Sequence, residues 1–83
     1  MSTDKGLDLA REIAGEIRAE RARQNLTQAD VFTRAGMSKT AYLYIETGRR
    51  GAKMDQLEAI AGALGMRLSD LILRGEARLK ERP

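Results

Sequence analysis

The spacing of apolar residues predicts helices throughout the chain and no strand. Leu9, Ile13 and Ile17 recur every four residues, which places them on one face of a helix over residues 7–23. Similar patterns predict further helices over residues 28–35, 39–47, 53–64 and 68–73. The side chains facing inward form the predicted core: Leu9, Ile13, Ile17, Leu26, Val31, Phe32, Ala35, Met37, Tyr42, Ile45, Leu57, Ile60, Ala61, Leu64, Leu68, Leu71 and Ile72.

The residues at the expected helix ends are those that start and stop helices. Asn25 follows the first helix and can adopt the left-handed conformation of a C-cap. Thr27 with Asp30 three residues later predicts a capping box at the start of the second helix. Gly36 allows a positive φ in the next turn, and Ser38 is the expected N-cap of the third helix.

These elements predict a single all-α domain of five helices over residues 1–73. A short polar, basic tail follows over residues 74–83, which we expect to be frayed or partly helical. A chain of 83 residues buries one modest core. The second helix, the glycine turn and the third helix form a pair whose second member has the right shape to enter the major groove of DNA.

Composition removes several classes of function. The chain has no cysteine and no histidine, which excludes disulfides, thiolate nucleophiles and Cys/His zinc sites. The acidic residues are spread along helices and not paired in a pocket, so we expect no enzyme activity, no metal and no cofactor. No apolar run reaches membrane length, and Asp4 and Asp8 replace the apolar core of a signal peptide, so we expect a cytoplasmic protein without membrane contact.

The placement of charge says more than the net charge of +3. Residues 34–53 contain five basic residues and one acidic residue, which leaves the remainder slightly negative. Concentrated positive charge on one segment is typical of a polyanion binder. On the first helix, acids recur every four residues from Asp4 to Glu20. We expect this row to be a solvated face, with a docking face for a basic partner as the alternative.

Five short motifs lie in a fixed order between residues 17 and 72. They read L-T-Q at 26–28, A-G-M-S at 35–38, I-E-T-G at 45–48, L-x-x-I-A-x-A-L-G at 57–65 and L-S-D-L at 68–71. In this order the motifs resemble the helix-turn-helix domains of the phage lambda repressor and Cro-like family. The resemblance implies a sequence-specific regulator of transcription that binds double-stranded DNA. It also implies a repressor, acting as a homodimer on an inverted-repeat operator with the third helix in the major groove.

The resemblance also implies roles for single residues. Lys39, Thr40 and Tyr44 match the positions that face base edges, and the helix period places Leu43 on the same outer side. Arg21 and Glu46 match a charge pair that ties the first helix to the third. Together with the free N–H groups at helix starts, the matching positions give the set expected to contact phosphates. This set is Thr27, Gln28, Ser38, Thr47, Arg49, Arg50 and Lys53.

Three residues depart from the family pattern. Phe32 stands where alanine is usual, and Tyr42 stands where isoleucine or valine is usual. Because these positions face each other, two rings there should push the helices apart or fill space left by neighbouring alanines, and we expect a splayed helix pair or one ring turned outward. Leu43 replaces a small polar residue on the groove side, where it could meet thymine methyl groups or mark a protein-binding face.

Two other functions remain open from the sequence. One is the antitoxin of a toxin–antitoxin pair, with the acidic first helix or the tail holding a basic toxin. The other is a protein-interaction module that has lost DNA binding, for which Leu43 and Phe32 are the best evidence. For the homodimer we expect a surface on the fourth and fifth helices with the tail, where Leu79 is a spare apolar residue.

Overall fold

A computed structural model describes residues 5–49 and 51–81, with side chains from residue 8 onward. This part of the chain contains five α-helices and no strand, so the all-α prediction is confirmed. The helices are α1 (Lys5–Arg23), α2 (Gln28–Arg34), α3 (Lys39–Glu46), α4 (Met54–Ala63) and α5 (Leu68–Lys80). The first four helices lie within two residues of their predicted bounds at either end.

Side-chain caps fix the starts of α2 and α3. The Thr27 hydroxyl accepts from the Asp30 backbone N–H at 3.0 Å, and the Thr27 N–H donates to the Asp30 carboxylate at 2.8 Å. This hydrogen bond from the Thr27 backbone holds the pKa of Asp30 below its ordinary value. The Ser38 hydroxyl accepts from the backbone N–H of Ala41 at the start of α3. Both predicted caps are therefore confirmed, and local chemistry alone sets these helix starts.

The two predicted left-handed positions are also confirmed. Asn25 has φ of 55° directly after α1, and Gly36 has φ of 67° between α2 and α3. An L-residue with a Cβ adopts this region at a cost, so glycine suits the tight turn between the crossed helices. The turn places α3 across α2, with α3 on the surface of the bundle.

The core lies between all five helices. Every residue of the predicted core is buried or half-buried, with Ile17, Val31 and Ile60 completely buried. The prediction left out Ala14, Ala63 and Met66, which are buried or pack against the core. Small residues such as alanine carry a weak periodic signal, and their burial depends on how closely the neighbouring helices approach.

The prediction that the fifth helix ends at Leu73 is wrong, because α5 continues to Lys80. The boundary drawn at residue 73 therefore falls inside a helix that packs along α1. Gly75 lies where the two helices meet, and a Cβ added there would lie 2.6 Å from the Ile13 Cγ1. The missing side chain is what allows this close approach.

Ion pairs continue the contact between α1 and α5. Arg74 Nη1 lies 2.9 Å from Glu20 Oε1, and Arg78 lies 3.3 Å from both Glu12 and Glu16. The expectation of a solvated acidic face on the first helix is wrong for these three glutamates, since Glu16 is only 8% exposed. Asp4, the first member of that row, lies outside the described residues.

The rings of Phe32 and Tyr42 face each other between α2 and α3, with centroids 6.1 Å apart and planes tilted by 51°. Tyr42 is fully buried, and Phe32 is half-buried against the core. The expectation of one ring turned outward is wrong, because the two rings pack together in the space between the helices. The splaying of the helix pair stays a prediction.

Candidate nucleic-acid interface

The outer face of α3 is open to solvent. Lys39, Thr40 and Tyr44 are exposed, while Leu43 is half-buried. The opposite face carries Tyr42 and Ile45 into the core, which anchors the helix. The amphipathic pattern therefore orients α3 as the sequence predicts, with its base-contacting candidates on the free side.

Five residues of this face and the following loop enclose a shallow recess of about 520 Å³. We call it the α3 recess; it is lined by Thr40, Leu43, Tyr44, Thr47 and Arg49. The Arg49 guanidinium carbon lies 5.6 Å from the centroid of the Tyr44 ring, within reach of a cation–π interaction. The sequence assigned Tyr44 to bases and Arg49 to phosphates, and the structure brings both side chains into one contact.

A buried carboxylate, Glu46, joins three helices at the end of α3. It is 2% exposed and accepts from Arg21 Nε at 2.7 Å and from the Tyr42 hydroxyl at 2.9 Å. Its second oxygen accepts from the side-chain amide of Gln28. We call these four residues the Glu46 cluster. The pair of Arg21 and Glu46 implied by the resemblance is present in the structure.

Tyr42 belongs to this cluster through its hydroxyl, a role that the sequence did not indicate. Burial raises the pKa of the Tyr42 phenol above its ordinary value, and the hydrogen bond to the Glu46 carboxylate raises it further. The phenol therefore remains a neutral donor well into the alkaline range. An aliphatic residue here would leave the carboxylate with one donor fewer in a buried site.

The candidate phosphate contacts do not all have the same hydrogen-bonding freedom. One N–H of the Gln28 side-chain amide donates to Glu46, which leaves the second N–H as the donor for a phosphate oxygen. The Thr47 hydroxyl donates to the Leu43 carbonyl oxygen at 2.7 Å. Thr27 and Ser38 accept at their oxygens as caps and are exposed, so each hydroxyl proton can point outward.

The remaining cationic candidates lie around α3. Arg49 is exposed beside the α3 recess, whereas Lys53 lines a separate recess with Ala41 and Ile45. The structure therefore places these two cations on different flanks of α3. Arg50 lies outside the described residues.

Two arginines of α1 lie next to the same loop, and sequence reasoning missed them. A Cβ added at Gly48 would lie 3.2 Å from the Arg11 Cγ, so the Arg11 stem lies over the start of the loop. Arg18 donates to the backbone carbonyl oxygen of Glu46, at the end of α3. Both arginines are exposed, and Asp8 lies 3.4 Å from Arg11. Arg11 and Arg18 are seven residues apart, which places them on one face of α1. This shared face is the pattern by which the sequence could have predicted them as a pair.

Comparison with known proteins assigns the chain to a family. Residues 12–71 match the family described as helix-turn-helix domain. The chain belongs to this family. An immunity repressor protein of Bacillus phage phi105 is 33% identical over 60 residues, which cover 72% of this chain and 42% of the phage protein. The chain thus spans less than half the length of that relative, and the resemblance predicted from the motifs is confirmed.

Two solved structures show the same fold. The clp gene regulator ClgR from Corynebacterium glutamicum superposes with a TM-score of 0.80 at 19% identity, over 87% of this chain and 77% of that one. A second structure of ClgR gives the same score over 89% of this chain and 96% of that one. At this level of identity the similarity concerns the fold.

Other chemistries find little support in the described residues. No group of three or more acidic, histidine or cysteine side chains there is placed to hold a metal ion. None of the described helices is both long enough and apolar enough to span a membrane. The candidate site is the exposed face of α3 with its neighbouring arginines.

Proposed function

We propose that this helix-turn-helix protein is a regulator of transcription that binds double-stranded DNA with α3 in the major groove. The observation that carries the proposal is the orientation of α3. Its inner face is anchored by Tyr42 and Ile45, and its outer face is exposed beside Arg49. A rigid, exposed helix of eight residues next to cations is what major-groove recognition requires.

Within this proposal, α3 reads the bases. Lys39 can donate to guanine O6 and N7, and Thr40 can contact a thymine methyl group. Leu43 and Tyr44 add apolar surface to the same face of α3. These contacts would select the site while supplying the smaller part of the affinity.

Phosphate contacts supply the larger part of the affinity in this proposal. Among the described members of the sequence-predicted set, Gln28 lies at the start of α2 and Lys53 precedes α4. Because the Thr47 hydroxyl already donates to the backbone, we assign Thr47 to the apolar lining of the α3 recess and not to phosphate binding. Thr27, Ser38, Arg49 and Arg50 complete the set.

Arg11 and Arg18 extend the proposed phosphate surface onto α1. The Arg11 side chain lies beside Gly48, and the Arg18 side chain contacts the end of α3. Arg49 is the residue that follows Gly48 in the loop. Arginine forms fork-like bonds to phosphates, and its stem can pack on the protein surface while the guanidinium remains in water. The α1 arginines would then bind DNA phosphates adjacent to those contacted by the loop after α3.

We further propose that the protein acts as a repressor and binds an inverted-repeat operator as a homodimer. The phage relative is named an immunity repressor, which supports this direction of regulation. A domain of this size contacts few base pairs, so a second copy is needed to select one site among many competitors. We assign the dimer surface to the outer face of α4 and α5, where Leu73 is 61% exposed and Leu79 is half-buried.

One observation favours a second candidate, a protein-interaction module. The α3 recess has a mostly apolar lining, which a partner side chain could fill. The antitoxin alternative has no comparable support from the described residues. The glutamates Glu12, Glu16 and Glu20, which were to hold a basic toxin, lie against the arginines of α5.

The test is a fluorescence anisotropy titration of a labelled mixed-sequence duplex with the full chain, repeated over a series of salt concentrations. We expect binding at low ionic strength whose logarithm falls linearly with the logarithm of salt, by about 0.9 per phosphate neutralised. Arg11→Gln should reduce this slope by about one, and the same exchange at exposed Arg67 should leave it unchanged. An absence of binding at low salt would refute the DNA-binding proposal.

A further inference from the structure

The α3 recess presents a mostly apolar surface, whereas recognition helices often present hydrogen-bonding groups. Leu43 and Tyr44 are among its lining residues, and the exposed surface of the lining is mostly apolar. The Thr47 hydroxyl donates to the carbonyl oxygen of Leu43 at 2.7 Å, so its proton is not available to a ligand. Among the described residues of the lining, Arg49 carries a positive charge, and its guanidinium carbon lies 5.6 Å from the Tyr44 ring centroid.

We propose that the α3 recess recognises the 5-methyl group of thymine in the major groove. This inference rests on the proposed binding of double-stranded DNA and adds what α3 reads there. Thymine alone among the four DNA bases carries a methyl group at the groove edge, and it is recognised by apolar contact. Leu43 is the specificity-determining residue, with Thr40 and Tyr44 completing the contact.

Charge argues for the edge of a duplex as the occupant. The recess is bordered by the Arg49 guanidinium and lies on the same exposed helix as Lys39. A phosphate backbone held by Arg49, with a base edge held by Lys39, brings the methyl groups of the major groove to the level of α3. A purely apolar side chain of a partner protein would gain nothing from the two cations. The volume of about 520 Å³ has room for more than one methyl group.

The experiment compares thymine with uracil, which lacks only this methyl group. Duplexes that bind the full chain are first selected from a random library, and each thymine of the selected site is then replaced by deoxyuridine in turn. We expect one or two positions at which uracil weakens binding about three- to fivefold, the effect of withdrawing one methyl group from an apolar contact. At those positions Leu43→Ala should bind thymine and uracil duplexes equally.

Two further variants keep the test independent of folding. Thr40→Ser removes a methyl group at an exposed position and should reduce the discrimination between thymine and uracil without altering the thermal midpoint. Thr33→Ser removes a methyl group at an exposed position of α2, outside the recess, and should leave the discrimination unchanged. Circular dichroism of each variant checks that the helices are intact.

The outcomes separate this inference from the function on which it rests. Selected duplexes that bind tightly but tolerate uracil at every position overturn thymine recognition and leave DNA binding in place. A discrimination that persists undiminished in Leu43→Ala overturns the assignment to the α3 recess. If no duplex is enriched, both proposals are wrong, and a protein partner becomes the better occupant of the recess.

Discussion

Replacing Glu46 by alanine should destabilise the protein more than any other single change at an acidic residue in its described part. The carboxylate is 2% exposed and receives three side-chain hydrogen bonds, from Arg21, Gln28 and Tyr42. Its removal leaves the Tyr42 hydroxyl buried without a partner, and it leaves the Arg21 guanidinium without its counter-charge. Gln28 is half-buried and can turn to water.

The magnitude follows from the exposure of each partner. An unsatisfied buried hydroxyl costs about 1–3 kcal/mol. Arg21 is 23% exposed and keeps a hydrogen bond to the Leu26 carbonyl oxygen, so its share is about 1 kcal/mol, below that of a fully buried broken pair. We expect Glu46→Ala to lower the free energy of unfolding by about 3 kcal/mol. For a domain of this size that lowers the thermal midpoint by about 12–24 °C.

Urea and thermal unfolding followed by circular dichroism measure this loss. Glu46→Gln keeps one acceptor oxygen and should lose about half as much. Glu58→Ala removes an exposed glutamate of α4 and should stay within about 0.5 kcal/mol of the unmodified protein. A loss below about 1 kcal/mol for Glu46→Ala would show that the Glu46 cluster orients the helices without stabilising them.

Three further variants test other parts of the structure. Gly75→Ala should cost about 1–3 kcal/mol in urea unfolding, since its Cβ would lie 2.6 Å from α1, whereas Gly62→Ala, with nothing within 4 Å, should be neutral or stabilising. Because folding raises the pKa of Tyr42, its contribution to the free energy of unfolding is complete below pH about 10 and is lost as the pH rises further. In urea unfolding at increasing alkaline pH, Tyr42→Phe should therefore lose less stability than the unmodified protein, and equal losses would contradict this. In duplex titrations Lys39→Ala should alter the preferred sequence, while Arg49→Ala should weaken all duplexes alike and lower the salt slope by about one; identical profiles would disprove this division.

The starts of α2 and α3 could be predicted because their causes are local. Thr27 and Asp30 form a capping box within four residues, and Ser38 caps α3 in the same way. Positive φ at Asn25 and Gly36 likewise follows from the residue type. None of these features needs a distant partner, so the sequence contains the whole of the physical cause.

The extent of α5 could not be read from the sequence because its cause lies in α1. Residues 74–80 are polar and contain Gly75, which locally disfavours a helix. In the structure Gly75 leaves room for the Ile13 side chain. Arg74 and Arg78 form ion pairs with glutamates of α1. Contacts between residues more than fifty positions apart outweigh the local preference here.

The candidate site could likewise be predicted only in part from the sequence. The helix period of α3 correctly predicted that Lys39, Thr40 and Tyr44 face outward, but it did not show that Leu43 is half-buried against the core. Tyr42 and Glu46 lie four residues apart on α3, so the helix period places them side by side. The period could not show that Glu46 is buried, because its burial depends on the other helices that pack around it. Nor could it show that Arg11 lies over Gly48, because the length of the loop alone does not fix which turn of α1 it meets.

The long contact between α1 and α5 has a consequence for biosynthesis. A ribosome releases α1 well before the residues that neutralise Glu12 and Glu16 have been made. Until α5 emerges, α1 presents Ile13 and Ile17 to solvent or to chaperones, and the loop that must close to bury them spans most of the described chain. The core of the domain is therefore completed only after all five helices have been made, and a chain that stops before α5 should leave the face of α1 around Ile13 uncovered.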